Sequence, residues 1–167
     1  MAEGKQGVTW DLTSFFPEFN GEEMLDFKKQ LEADIEKLQK MASKLEPLKS
    51  TNAKEWEEVV LLAEDFYARL GHIFSYVHCL KTAHTDREEY SQEEAKLMRL
   101  AAEYEKFAVD LMHGFKHATD KVFETFTRRR KLKPIAHSLR RTREKAMHTM
   151  SREEEKLASD LNVDGLR

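Results

Sequence analysis

The stretch between Asn52 and Leu80, NAKEWEEVVLLAEDFYARLGHIFSYVHCL, carries the broadest apolar pattern of the chain. Its apolar residues recur at intervals of three and four, which is the period of one face of an α-helix. They are Trp56, Val59, Val60, Ala63, Phe66, Tyr67, Leu70, Ile73, Phe74, Val77 and Leu80. Asn52 followed by Glu55 has the spacing of a helix-capping box. The pattern predicts a long central helix.

A second helical pattern precedes this stretch. Asn20 and Glu23 have the spacing of another capping box, so a helix is expected to begin there and to end near Pro47. Its apolar stripe recurs every seven residues at Met24, Leu31, Leu38 and Leu45, with Phe27, Ile35 and Ala42 between them.

A third long helix is predicted on the C-terminal side. It is expected to begin between Arg87 and Ser91, where Ser91 and Glu94 offer a further capping box. Its apolar face consists of Leu97, Met98, Ala101, Tyr104, Ala108, Leu111 and Phe115.

Shorter helices follow these three. Asp120 is expected to cap one of them, and Pro134, which lacks an amide donor, ends it and suits the first turn of the next. Ser151 and Glu154 predict a last short helix through about Leu161.

These patterns together predict an all-α fold. We expect an up-and-down bundle of three long helices plus two or three shorter C-terminal helices, with an extended N-terminal arm. Residues 1–20 form that arm, which Trp10, Phe15 and Phe16 hold against the helices, and residues 21–161 form a single helical domain.

Composition supports this interpretation and excludes several classes of protein. The chain has 167 residues, 35% of them charged, with only six glycines and three prolines, which disfavours collagen-like and all-β folds. A single cysteine, Cys79, cannot close an intrachain disulfide. The N-terminus shows no signal-peptide core, and no apolar run approaches the roughly 18 residues that span a bilayer. We expect a cytoplasmic protein with no membrane partner.

Few residues suggest metal or nucleophilic chemistry. His113 and His117 lie four apart, as in the zinc motif HExxH, but the glutamate of that motif is missing, so surface or structural histidines are favoured. Asp110 and His113 form one acidic-x-x-His pair of the kind that di-iron bundles use twice, and no second copy occurs. Cys79 is expected to be a buried, inert thiol rather than a nucleophile activated by its neighbour His78. No catalytic, metal-binding or cofactor-binding residue is predicted.

The most uneven charge lies at residues 128–133, which read RRRKLK, and continues through Arg140, Arg141, Arg143 and Lys145. Such a cluster could neutralise phosphates, but no aromatic residues interleave with it to stack on bases. A solvated face, or one that meets acidic groups elsewhere in a larger protein, is the favoured interpretation. Nucleic acid is an unlikely partner. The alternative is a free-standing helical interaction module that binds an acidic partner or nucleic acid through this cluster.

Several segments resemble the N-terminal region of the oligoendopeptidase F family, zinc metallopeptidases related to thimet oligopeptidase. Residues 10–12 and 15–17, WDL and FFP, are similar to the opening of those enzymes. Residues 69–76, RLGHIFSY, resemble a segment between their long helices. Residues 138–143 and 148–156, SLRRTR and HTMSREEEK, match their "LxRxRxxxxHTLSxxEE" pattern.

The resemblance implies a non-catalytic helical domain that forms one wall of a peptide channel. The parent enzyme would be a zinc metalloendopeptidase that hydrolyses short peptides, but HExxH is missing here, so this chain should be inactive alone. The zinc, and the catalytic C-terminal domain that is the implied partner, would lie beyond residues 162–167, which are interpreted as a linker. The possible interface with that domain consists of Ile135, Leu139, Arg140, Arg141, Arg143, Met147 and Met150.

Overall fold

The computed structural model describes residues 11–148, and within them every regular element is helical, which confirms the all-α prediction. The elements are α1 (Glu22–Ala42), α2 (Ala53–Ala83), α3 (Glu88–Lys116), α4 (Asp120–Thr127), a 3₁₀ turn (Lys133–Ile135) and α5 (Ala136–His148). The three long helices and the shorter ones after them follow the predicted order. Trp10, Met150 and the helix predicted between Ser151 and Leu161 lie outside the described residues.

The described residues fall into two compact units. Unit 1 consists of residues 11–44 and 58–107, and unit 2 consists of residues 45–57 and 108–148. Because α2 and α3 are long, each contributes residues to both units. The single domain expected for residues 21–161 stays a prediction.

Unit 1 has a core built from α1, α2 and α3, since each helix turns its apolar stripe inward. The buried side chains include Met24, Leu31, Ile35, Leu38, Val59, Val60, Phe66, Leu70, Ile73, Val77, Leu97 and Phe107. Burial of each large apolar side chain contributes roughly 1.5–3 kcal/mol. Core burial therefore dominates the stability of this unit.

Side-chain pairs give the directions of these helices. Lys28 pairs with Glu93 at 2.7 Å, and Gln39 donates to Glu103 at 3.0 Å, so α1 and α3 run parallel. The ring of Phe27 lies 5.9 Å from that of His72, whereas the later α1 residue Asp34 pairs with the earlier α2 residue Arg69, so α1 and α2 are antiparallel. Within unit 1 the helices therefore run up, down and up.

The described part of the N-terminal arm, residues 11–20, packs on unit 1 through its aromatic side chains. Phe16 is buried, and its ring centroid lies 5.1 Å from that of Tyr76 and 5.2 Å from that of Phe27. Phe15 stacks on His72 at 4.8 Å. The arm contains turns, such as the one in which the amide of Phe15 donates to the carbonyl of Leu12 at 2.9 Å.

The capping box predicted from Asn20 and Glu23 is wrong. Asn20 adopts a left-handed backbone with a φ of 57°, a conformation that asparagine tolerates better than most residues, and its side chain accepts from Lys28 Nζ at 2.9 Å. The N-cap is Gly21, and α1 begins at Glu22. Turn geometry at Asn20 therefore overrides the local capping pattern.

The other capping predictions place the helix starts approximately, but the predicted side chains do not cap the helices. Asn52 immediately precedes α2, but its side chain faces back, where its Oδ1 accepts from the amide of Lys49 at 2.8 Å. Ser91 lies inside α3, whose first residue, Glu88, falls within the predicted window. Helix α4 begins at Asp120 as expected, but Thr119 caps it by accepting from the amide of Val122 at 3.4 Å.

Unit 2 is organised around a close approach between Trp56 and Gly114. Trp56 is 2% exposed, its ring centroid lies 4.9 Å from that of Phe115, and its Nε1 donates to the carbonyl of Glu46 at 3.0 Å. The amide of Leu48 donates to the carbonyl of Gly114 at 3.3 Å. A Cβ at position 114 would lie 2.3 Å from one indole carbon and 2.4 Å from another. Only glycine leaves room for the indole.

Three phenylalanines continue this core. The Phe115 ring centroid lies 5.4 Å from that of Phe123 and 6.1 Å from that of Phe126, so the end of α3 packs on α4. Leu132 before the 3₁₀ turn and Leu139 in α5 are also buried. The polypeptide from Gly114 to α5 is therefore one packed segment.

We predict opposite signs for two Gly→Ala substitutions in helices. Alanine normally stabilises a helix interior by about 0.5–1 kcal/mol over glycine, and Gly71 in α2 has no other atom within 4 Å of its ideal Cβ position. Gly71→Ala should therefore raise the free energy of unfolding. Gly114→Ala should lower it by about 1–3 kcal/mol, because the methyl group overlaps the Trp56 indole. Urea unfolding of both variants measures the difference, and equal effects would contradict the close approach.

Candidate functional site

The basic cluster divides into arginines that are bound within unit 2 and cations that face solvent. Arg129 Nε donates to Glu57 Oε2 at 2.6 Å, and Arg140 donates to both carboxylate oxygens of Glu124 at 3.0 Å. Such forked contacts need the planar guanidinium group. Arg140 is itself exposed although it is paired, and the other solvent-exposed cations are Arg128, Arg130, Lys131, Lys133, Arg141 and Lys145. Part of the charge run therefore supports the fold instead of forming an open anion-binding surface.

Arg143 makes the densest set of contacts in this unit. Its Nε donates to the carbonyl of Phe115 at 3.3 Å, and its Nη2 donates to the carbonyl of Ala118 at 2.7 Å and to Asp120 Oδ1 at 2.8 Å. The guanidinium also lies 4.7 Å from the centroid of the Phe123 ring. The last carbonyls of a helix lack intrahelical donors, so Arg143 stabilises the end of α3 while holding α5 beside α4.

Residue type alone does not distinguish Arg143 from Arg141, which is exposed. Sequence reasoning placed both at the rim of an interface. The difference arises because Arg143 follows the buried Leu139 by one helical turn and so lies on the same face of α5. This spacing is the signal that could have identified it.

Met147 lies at the edge of a small surface hollow of about 220 Å³, which we call the α4–α5 surface. The hollow is lined by Phe123, Glu124, Arg140, Arg143, Glu144 and Met147. Met147 is 55% exposed. Of the other residues expected at a domain interface, Ile135 is half-buried and Leu139 is buried inside unit 2. The interface itself stays a prediction.

The histidine pair offers little to a metal ion. His113 lies half-buried in the last turn of α3, whereas His117 lies after Lys116, the last residue of α3, and is exposed. The two histidines therefore do not lie on one helix, although their spacing is that of the zinc motif. Asp110 is exposed. Across residues 11–148, no three His, Cys, Asp or Glu side chains form a group that could hold a metal ion. The described residues do not fit the zinc of the resembled enzymes.

Cys79 is exposed, so the expectation of a buried thiol is wrong. The buried neighbour is Val77, and two residues along an α-helix point to nearly opposite faces. His78 is engaged elsewhere, because its Nδ1 lies 3.0 Å from Glu94 Oε1. The adjacent thiol and imidazole do not form a catalytic pair.

An open groove of about 570 Å³ lies in unit 1, along α1 and α3, with Glu93 in its wall. The Glu93 side chain is 2% exposed and pairs with Lys28 at 2.7 Å and with Lys96 at 3.1 Å. Burial alone would raise the pKa of the Glu93 carboxyl, but hydrogen bonds from the two ammonium groups outweigh it and hold that pKa below its usual range. Glu93 is therefore an ionised structural anchor.

Comparison with known proteins finds one similarity, in the C-terminal part of the chain. A family model described as Oligopeptidase F, which represents the N-terminal domain of these enzymes, matches residues 114–167. The match begins at Gly114, includes α4 and α5, and covers about a third of the 167 residues. No curated protein and no solved structure matches the chain.

The helical fold and this match support the N-terminal domain of a peptidase. Residues 114–167 are similar to the N-terminal domain of the oligopeptidase F family, which confirms the resemblance found in the sequence over that part of the chain. The alternative of a free-standing interaction module receives no support from the match. Among the described helices, none is both long enough and apolar enough to cross a bilayer.

We predict that Arg143→Ala lowers the free energy of unfolding by about 2–3 kcal/mol. It removes charge-assisted hydrogen bonds to Phe115, Ala118 and Asp120, and each such bond contributes roughly 1.5–3 kcal/mol, without full additivity. Arg141→Ala is the matched control, because Arg141 is exposed on the same helix. Thermal and urea unfolding should separate the two, and an equal loss would show that Arg143 does not hold α5.

We predict that Glu93→Gln removes part of the acid sensitivity of the fold. A carboxyl whose pKa is lowered in the folded state contributes stability above its unfolded pKa, about 4.5, and loses that contribution as pH falls through the folded pKa. The difference in unfolding free energy between wild type and Glu93→Gln should therefore shrink from about pH 7 to about pH 3. Glu105→Gln, an exposed change in α3, serves as the control. A difference that stays constant with pH would refute the assignment.

Proposed function

We propose that this chain is the non-catalytic substrate-channel domain of a zinc-dependent oligopeptidase that hydrolyses short peptides. The observation that carries the proposal is the Oligopeptidase F match over residues 114–167. The similarity of residues 10–17 and 69–76 to the same family extends it towards the N-terminus.

In this proposal, peptide hydrolysis takes place in another part of the polypeptide. In such peptidases a zinc ion polarises the scissile carbonyl while a glutamate activates water. Residues 11–148 offer no ligand set for that zinc, so no catalytic step is assigned to them. Their role is to fold into a rigid helical wall beside a catalytic domain. The proposed location of the enzyme is the cytoplasm.

The α4–α5 surface is the proposed contact with that catalytic domain. Met147 supplies exposed apolar area, and Arg140 and Arg143 line the same hollow. The described part of unit 2 holds 13 lysines and arginines against seven acidic residues, so it carries a net positive charge. A positively charged unit with an exposed apolar side chain suits a partner surface that carries carboxylates.

The test begins with the reading frame beyond Arg167, where we expect an HExxH motif. The protein extended through that region should bind zinc and hydrolyse short peptides, whereas the 167-residue chain should do neither. In the extended protein, Met147→Glu should weaken domain association and lower activity, because it places a carboxylate in the apolar contact. Met98→Glu is the matched control, since Met98 in unit 1 is 56% exposed.

Two results would contradict the proposal. A natural stop codon directly after Arg167 would show that the chain is not part of a longer peptidase. Equal activities of the Met147→Glu and Met98→Glu proteins would show that the α4–α5 surface does not contact the catalytic domain.

A further inference from the structure

A second open pocket, of about 490 Å³, lies in unit 1 where the N-terminal arm meets α2 and α3. This volume is within the range of small-molecule sites. Its apolar walls come from Phe16 and Phe19 of the arm and from Leu80 of α2. The arm residues belong to the aromatic opening of the sequence, which the proposed channel function leaves without a role. We call this cavity the arm pocket.

Oxygen atoms converge in the arm pocket. Tyr76, Tyr90 and Glu18 all line it. Burial raises the pKa of the Tyr76 hydroxyl, and the charges of Tyr90 and Glu18 raise it further. Asp11 adds a second carboxylate at the rim, where it accepts from Thr13.

Two of these oxygens are available to a ligand. Tyr76 is 3% exposed, yet within residues 11–148 its hydroxyl has no protein partner. No fully buried side-chain oxygen in that range is left unsatisfied, so this hydroxyl must open to the pocket. The Glu18 carboxylate likewise forms no ion pair with any described cation. The neighbouring Arg87 pairs with Glu89 at 3.1 Å.

This combination of groups selects a particular chemistry. A carboxylate and a tyrosine hydroxyl can both accept hydrogen bonds, and an ammonium group offers three donors and a positive charge. Aromatic faces attract the same charge, and apolar walls favour an aliphatic stem. Two carboxylates at the rim repel anions. An ammonium group on an aliphatic stem satisfies all of these features.

We propose that the arm pocket binds a primary ammonium group on an aliphatic stem, such as a lysine side chain or the N-terminus of a short peptide. Glu18 and Tyr76 accept its hydrogen bonds, and the walls of Phe16, Phe19 and Leu80 cover the stem. Binding at this site does not depend on zinc or on catalysis, so its test is independent of the test of the proposed function.

The test is a titration of the 167-residue chain followed by amide chemical shifts. One titration uses Nα-acetyl-lysine methylamide, and a second uses the amide of Leu-Gly-Gly. The two titrations compare a lysine side chain with a peptide N-terminus as the source of the ammonium group. The neutral control is the same lysine compound acetylated on its side-chain nitrogen. We expect saturable shifts at amides of residues 12–19 with at least one ammonium ligand and none with the neutral control.

Substitutions then identify the groups that bind. Glu18→Gln should raise the Kd by about tenfold or more, because the ammonium group loses its counter-ion. Tyr76→Phe keeps the packing and should raise the Kd severalfold. Glu22→Gln, an exposed change in the first turn of α1, should leave the Kd unaltered. The proposal is overturned if neither ammonium ligand gives saturable shifts, if the neutral compound binds equally well, or if Glu18→Gln binds as wild type does.

Discussion

The contact between the Trp56 indole and the backbone of Gly114 is the constraint on which unit 2 depends. A side chain of any size at position 114 would overlap the ring, so α3 can approach the 45–57 segment only through glycine. The same approach places the Gly114 carbonyl within reach of the Leu48 amide and sets Phe115 beside the indole. Phe115 in turn packs on α4, and Arg143 ties α5 to the carbonyl of Phe115. The Oligopeptidase F match begins at this glycine.

Three buried carboxylates of the described residues are the second constraint, and each is held by a cation from another helix or turn. Glu57 receives Arg129, Glu93 receives Lys28, and Glu94 receives Lys81. Leaving one of these carboxylates without its cation would cost more than the pair contributes, since an uncompensated charge would remain out of water. Part of the charge of the chain is therefore structural, and within residues 128–143 the arginines Arg129, Arg140 and Arg143 bind groups inside unit 2.

Helices were predictable from the sequence because apolar periodicity reports directly on which face is buried. The long helices α1, α2 and α3 and the shorter α4 and α5 all follow from that signal. What failed depends on contacts distant in sequence or on backbone geometry. Asn20 adopts a left-handed turn, and Cys79 faces solvent although it lies between the apolar residues Val77 and Leu80. The Trp56 and Gly114 contact joins residues 58 positions apart, and a single sequence carries no pattern for it.

We propose that the α4–α5 surface contacts a catalytic domain, and amide hydrogen exchange tests this contact most directly. Exchange should be measured by mass spectrometry on peptides from residues 136–148, in this chain and in the protein extended beyond Arg167. Peptides from residues 58–83 of unit 1 provide the reference. The account predicts slower exchange in residues 136–148 of the extended protein, with the reference peptides changed less. Equal exchange of residues 136–148 in the two proteins would contradict it.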